Sequence, residues 1–243
     1  ITSLTYFLKK DIWIVLGAVA LVSSQILIFF HWQDAKWGTL ANIIILICIL
    51  IAFSIRSQEK KLDIEKKQFI QSLTATQNHT LLPEDVSHLP VVVQHWMKRS
   101  GVVGNQRAFG LRLQQTGQMK TKPEAGWMPF TAEQYFNAQQ PAFYWTAEVS
   151  MGFGLFLKGR DSFKEGEGEM MIKLASLFPV VNEKHTPQIN SGSMIRLLAV
   201  LCFFPSAEAA HSIVWGRRVA FSASVTLQQS GTSVTGIYRV YKK

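Results

Sequence analysis

The chain has 243 residues, 48% of them hydrophobic, and a formal net charge of +9. That length allows one or two domains, and two cysteines without a CxxC spacing exclude a disulfide framework and a zinc site. A basic chain beside a membrane most simply meets anionic lipid head groups. With no recognised nucleic-acid motif, and no dense basic stripe beyond residues 56–67, nucleic acid is not an expected partner.

The apolar residues are concentrated near the N-terminus. Residues 12–30 (IWIVLGAVALVSSQILIFF) carry no charge and would form a helix of about 28 Å. Residues 39–55 (TLANIIILICILIAFSI) form a second uncharged run, short for a span. Only His31 to Gly38 separate them, so the two helices are expected as an antiparallel hairpin. Trp32 and Trp37 in the turn and Trp13 at the start of the first run suit the membrane interface, where the ring is apolar and the N–H stays wet. A signal peptide is the competing reading, with Lys9 and Lys10 before the apolar run and Ala18-x-Ala20 as a cleavage site. The run continues to Phe30, which argues against cleavage there.

Lys9 and Lys10 precede the first run, Lys36 alone lies in the turn, and Arg56, Lys60, Lys61, Lys66 and Lys67 follow the second. The bias of basic residues toward the cytoplasm places both termini on that side, in an expected bacterial inner membrane. A chain that opens on Ile1 is expected to lack a few N-terminal residues.

Residues 56–73 continue as a helix, with Leu62, Phe69, Ile70 and Leu73 on one face. It reads as a solvated connector laced by i,i+4 pairs, with a lipid-resting basic helix as the alternative. Residues 74–88 are polar, contain Pro83, and read as a linker. Asn78-His79-Thr80 matches a glycosylation sequon by chance. The expected organisation is a hairpin over 1–56, a juxtamembrane helix and linker over 57–88, and a β-rich domain over 89–243.

Pro90 opens a short helix with Val93, Trp96 and Met97 on one face, broken by Gly101 and Gly104. Residues 106–119 then alternate, Phe109, Leu111 and Leu113 against Arg112 and Gln114, as a strand does. Strands are also expected at 127–136, 142–151, 153–159 and 166–174, with a turn over Arg160–Gly166. Residues 192–204 read as a helix capped by Ser191 and stopped by Pro205, with Met194, Leu197, Leu198, Leu201 and Phe204 as its apolar face. A last strand pair, 218–228 and 232–241, turns at Ser230-Gly231. Cys48 and Cys202 are expected as small buried hydrophobes. The fold class is α+β: a transmembrane hairpin, then a curved, half-barrel-like antiparallel sheet with one or two packed helices and an apolar groove beneath.

Several stretches resemble an uncharacterised bacterial membrane-anchored family of unknown function: LRLQQTGQM from Leu111, WMPFTAEQYF from Trp127, PAFYW from Pro141, GRDSF from Gly159, GEG from Gly166, PVV from Pro179 and GSMIR from Gly192. The resemblance covers roughly residues 89–241 and implies no activity. It departs at Val200 and Phe203, where the family pattern carries a Glu and a Trp, and family members run further past the last strand pair. The layout is also similar, at fold level, to lipoprotein carriers, whose curved sheets hold acyl chains.

The densest charged cluster is Arg160, Asp161, Glu165, Glu167 and Glu169. Asp161 and Glu167 suit acid–base work or a cation as a carboxylate pair. The alternation of Glu165, Glu167 and Glu169 favours a plain solvent-facing strand. Arg196, beside the apolar helix face, suits a head-group phosphate or carboxylate, or a structural ion pair with Asp161 or Glu133. Leu198 and Leu201 on the helix, with Trp145 and Tyr135 among the aromatic strands, complete the candidate ligand-binding set. The six histidines show no HExxH spacing, and neither a metal nor a cofactor is expected. Ser191-Gly192-Ser193 lacks the flanking glycine of a nucleophile elbow, and Gly166-x-Gly168 alone is no phosphate loop.

Three functions stand open. The first is a membrane-anchored module holding a lipid or other apolar ligand between sheet and helix. The second is an enzyme on a membrane-proximal substrate, using Asp161, Glu167 and Arg196. The third is a structural or interaction protein without a small ligand. A filled apolar cavity distinguishes the first, shifted carboxylates in a polar cleft the second, and a solid core with an exposed apolar patch the third.

Overall fold

The computed structural model describes residues 12–73, 80–108, 110–137, 139–205, 213–219 and 221–241. Phe109 and the Asn78 sequon lie outside them. The chain divides into two compact units, Ile1–Asp63 with Ala175–Phe178, and Ile64–Leu174 with Pro179–Lys243.

The first unit is built on a helical hairpin. Helix α1 spans Ile12–Phe30, a short α2 spans Trp32–Ala35, and α3 runs from Gly38 to Ser72 without a break. Two helices, α1 and α3, are long and apolar enough to cross a membrane, with mean hydropathies of 2.3 and 2.6 over their most apolar stretches. They pack side by side, as the tight turn requires. Asn42 on α3 is buried and donates to Gln25 Oε1 at 2.9 Å and to Ser24 Oγ at 3.2 Å. Gln25 in turn donates to Thr39 at 3.2 Å. Such bonds between apolar helices contribute about 0.6–2 kcal/mol each. Gly38 permits the close turn, since a Cβ there would meet Ile28 Cδ1 at 2.9 Å. Cys48, expected to be buried, is an exposed free thiol. A span is apolar on every side, so hydrophobicity does not choose its inward face.

In the second unit, the Ile64–Ser72 part of α3 lies against one face of a six-stranded antiparallel sheet. It runs antiparallel to β3, with Leu73 beside Gly110, Phe69 on Tyr144, and Glu65 beside Arg160. It is thus a packed helix rather than a solvated connector. Ile70, placed on the packed face by periodicity, is exposed.

That sheet is a meander of β1 Gly110–Met119, β2 Met128–Asn137, β3 Ala142–Gly152, β4 Leu155–Lys164, β5 Glu167–Leu174 and β6 Phe178–Lys184, in chain order. A second sheet of three strands follows: β7 Ile213–Val219, β8 Ser222–Gln229 and β9 Thr232–Arg239. Strands β6 and β7 were not expected, and the single expected meander is two sheets. The expected turn over residues 160–166 is also wrong. Arg160 to Lys164 continue β4, and the turn is two residues, Glu165-Gly166, both with positive φ. Ser230-Gly231 repeats that geometry between β8 and β9. The two turns touch: Ser230 Oγ donates to the Glu165 carbonyl at 2.6 Å, and a Cβ on Gly166 would meet Ser230 Cβ at 2.5 Å.

Between the sheets lies the main helix, α5, Pro187–Leu201. It starts earlier than expected. Thr186, not Ser191, is its N-cap, accepting from the Ile189 N–H, and Pro187 takes the first turn. Its expected apolar face is correct. Met194, Leu197, Leu198 and Leu201, with Phe204 beyond, are buried against Phe136, Phe143 and Phe163 of the first sheet and Ile213, Val225 and Leu227 of the second. The space expected as an apolar groove is filled by these side chains. Cys202, just past the helix, is exposed.

Helix α4, Val91–Arg99, continues this arrangement: Val93 and Met97 join Leu81, Val86 and Leu89 against Ala223, on the β8 face that also carries Val225 and Leu227. Leu81 and Val86, within the stretch expected to be a linker, are therefore core residues.

Helix α5 approaches the sheet closely at Gly168 on β5. A Cβ there would meet Ser193 Oγ at 2.8 Å and the Ile189 carbonyl at 2.9 Å, both less than real Cβ contacts allow. Gly168 N–H donates to Asn190 Oδ1 at 2.8 Å, and its carbonyl accepts from His185 N–H at 2.9 Å. Gly192 on the same helix faces open space. Gly168→Ala should therefore lower the stability of the full chain by about 1–3 kcal/mol, while Gly192→Ala should raise it by about 0.5–1 kcal/mol. Denaturant titration in detergent checks both, and equal effects of the two changes would refute the docking role of Gly168.

Candidate functional site

The face of the first sheet that meets α5 is set by period-two alternation. On β2 it carries Phe130, Ala132, Gln134 and Phe136; on β3, Phe143, Trp145, Ala147 and Val149; on β4, Leu157, Gly159, Asp161 and Phe163. Register places Gln134, Trp145 and Asp161 side by side across three strands. This is a polar row in an otherwise apolar layer.

Arg196 of α5 lies over that row. Its Nη1 donates to Asp161 Oδ2, and its Nη2 lies 3.5 Å from Gln134 Oε1. The guanidinium carbon sits 4.7 Å from the centroid of Trp145 and 5.0 Å from that of Phe143, within cation–π range. Trp145 is steadied by its own Nε1–H, which donates to Gln115 at 2.9 Å. From the other side, the Tyr238 hydroxyl of β9 donates to the Leu198 carbonyl and holds the helix.

The charges here are unequally buried. The side chain of Asp161 is 4% exposed and that of Arg196 31%. Burial raises the Asp161 pKa above the ordinary carboxylate value, against the pull of Arg196 and, more weakly, Arg160. Asp161 Oδ1 and Gln134 Nε2 are buried without a hydrogen-bond partner. The pair is thus costly to bury, and its strength comes from geometry as much as from charge.

The rest of the charged cluster lies elsewhere. Arg160 points to the opposite face of β4, where it donates to Glu169 at 2.6 Å and lies 3.5 Å from Glu65 of α3. Asp161 and Glu167 sit on opposite faces of the sheet and form no carboxylate pair. Glu167 and Glu169 instead flank His185, at 3.3 and 3.0 Å. Burial pushes the Glu169 pKa up, but hydrogen bonds from Arg160 and His185 and the charges of Arg160 and Lys184 outweigh it and hold it low. Glu133, the other expected partner of Arg196, faces away from it. It accepts from Arg112 at 2.7 Å and from Tyr135 at 2.9 Å, and Lys66 lies at 3.5 Å. These contacts outweigh burial and lower its pKa.

Of the candidate ligand-binding residues, the structure brings Arg196, Asp161 and Trp145 together. Leu198 and Leu201 lie in the core beside them, 4% and 2% exposed. Tyr135 and Glu167 are on the far face. Sequence reasoning missed Gln134, Phe143 and Gln115. Gln134 had a signal: it interrupts the apolar alternation Phe130, Ala132, Phe136. Among the described residues, no cluster of three His, Cys, Asp or Glu side chains could hold a metal ion.

Two neighbouring motif stretches and a distant third converge here. Asp161 and Phe163 of GRDSF meet Arg196 and Met194 of GSMIR, and Gly168 of GEG seats Ser193. A raised folded-state pKa means that protonation of Asp161 favours the folded chain. That contribution is full below the ordinary carboxylate pKa and is lost as pH rises through the raised one. The stability of the wild type relative to Asp161→Asn should therefore fall as pH rises from the ordinary carboxylate range through the raised value. Thermal unfolding at a series of pH values measures this, and a difference that stays flat or rises with pH would contradict the burial argument.

No curated protein and no solved structure matches this chain. Residues 79–243 match the family described as a family of unknown function, DUF6544. The match covers most of the chain, including both sheets and α5, and the protein belongs to that family.

Proposed function

We propose that this protein is a membrane-tethered module that works at the bilayer surface and contacts lipid with the turns of its larger sheet. The carrying observation is the β3–β4 turn. Phe153 stands fully exposed at its tip, between Gly152 and Gly154, with Met151 and Leu155 exposed on either side. The antiparallel meander puts the β1–β2 connection at the same end. There Trp127 is 65% exposed, under the Lys120 ammonium at 5.4 Å. Lys122 follows on that connection, with Glu124 as its acid.

Water gives no reason to hold this many large apolar groups at one end of a sheet. Aromatic and aliphatic side chains with adjacent lysines suit the head-group boundary of an anionic leaflet. The orientation of flanking basic residues supports a cytoplasmic face for both termini, and a bacterial inner membrane is the setting proposed. A lipid enclosed between sheet and helix is disfavoured, because Phe136, Phe143, Phe163, Met194 and Leu197 leave that interior packed. An enzyme using Asp161 is disfavoured by its burial beneath Arg196.

The test uses the full chain in nanodiscs with Cys48 and Cys202 replaced by Ala. A spin label at Phe153→Cys should be accessible to oxygen and shielded from a water-soluble nickel chelate. A label at Glu165→Cys, at the opposite end of the sheet, should show the reverse. A fully aqueous signal at position 153 would overturn the proposal.

A further inference from the structure

The hairpin unit holds a cleft of about 650 Å³ that none of the expected sites includes. Its apolar part is formed by Ile14 and Val15 of α1 and Phe53 of α3. Its polar part is a stripe on α3, where Arg56, Glu59, Lys60 and Asp63 follow one another on one side of the helix. The stripe alternates in sign and starts where the apolar span ends.

We infer that this cleft is a binding site for a zwitterionic, amine-bearing phospholipid. The order of groups along α3 matches the order of groups along such a lipid. Phe53, with Ile14 and Val15, borders the acyl region. Arg56 lies about 4.5 Å further along the axis, at the level of a phosphate next to the glycerol. Glu59 lies about 4.5 Å beyond that, where a head-group ammonium would reach, and Asp63, about 10.5 Å beyond Arg56, continues the acidic side of the stripe. Lys60 stands between the two acids, about 6 Å beyond Arg56.

Arg56 and Glu59 face each other at 3.8 Å, with side chains 44% and 43% exposed. A ligand carrying one negative and one positive group satisfies both members of that pair without leaving either charge unmatched. A purely anionic head group satisfies the two cations but meets Glu59 and Asp63 as like charges. The stripe therefore selects for an ammonium as well as for a phosphate. The site lies apart from the turns proposed to contact lipid, and its test can fail while that proposal stands.

The experiment is native mass spectrometry of the full chain in mild detergent, with dioleoyl phosphatidylethanolamine and dioleoyl phosphatidylglycerol added at equal concentration. The wild type should retain the ethanolamine lipid roughly threefold to fivefold over the glycerol lipid, the ratio expected of half-exposed ion pairs. The double variant Glu59→Gln, Asp63→Asn should erase that preference while still binding both lipids. The double variant Arg56→Gln, Lys60→Gln should weaken both. Circular dichroism of each variant, with helix content matching the wild type, confirms that the hairpin is intact. Equal retention of the two lipids by the wild type would overturn the inference. So would a preference that survives in Glu59→Gln, Asp63→Asn.

Discussion

The larger unit depends on one close approach, the seating of α5 on Gly168. Removing a single Cβ lets Ser193 and the Ile189 carbonyl come within contact of the β5 backbone. Two hydrogen bonds then tie that backbone to the start of the helix, through Asn190 and His185. Only at that separation can the apolar stripe of α5 interdigitate with three phenylalanines on three neighbouring strands. Only from there does the side chain of Arg196 reach Asp161 on β4 and Gln134 on β2. Packing comes first here, and the electrostatics follows from it.

The sheet separates two kinds of electrostatics. On its inner face a single buried carboxylate is held by one cation, and burial wins, raising its pKa. On its outer face Glu133 and Glu169 are half-buried, each with several donors, and the donors win, lowering theirs. The difference is one of partner number and access to water rather than of residue type. The outer network includes Glu65 and Lys66 of α3, so that charge joins the apolar contacts of Phe69 and Leu73 in holding this helix.

Much of this was legible in the sequence, and the failures have physical reasons. Long-range order was readable wherever a local pattern expressed it. The spans announced themselves by uninterrupted apolar length, and α5 by the spacing of Met194, Leu197, Leu198 and Leu201. The ion pair of Arg196 with Asp161 was one of two named alternatives. Arg160 and Asp161 were misread as turn residues because their partners, Glu169 and Arg196, come from later in the chain, and local polarity alone looks like solvent. The start of α5 was misplaced because Thr186 and Ser191 are equally good caps in isolation; Pro187 was the cue that decides between them. Strand β6 escaped because Phe178–Lys184 is exposed along nearly its whole length and so has no alternation to read.

The contact between the Glu165-Gly166 and Ser230-Gly231 turns bears on how this domain can vary. A hairpin tip is ordinarily the place where a lineage gains or loses residues freely, because nothing lies beyond it. Here each tip is the other's neighbour: lengthening either would displace the hydroxyl of Ser230 from the carbonyl it binds and pry the two sheets apart at that corner. Insertions should instead collect at the β1–β2 connection, which already carries eight residues between its strands. Homologous chains should therefore be length-invariant at the β4–β5 and β8–β9 turns and length-variable at the β1–β2 connection.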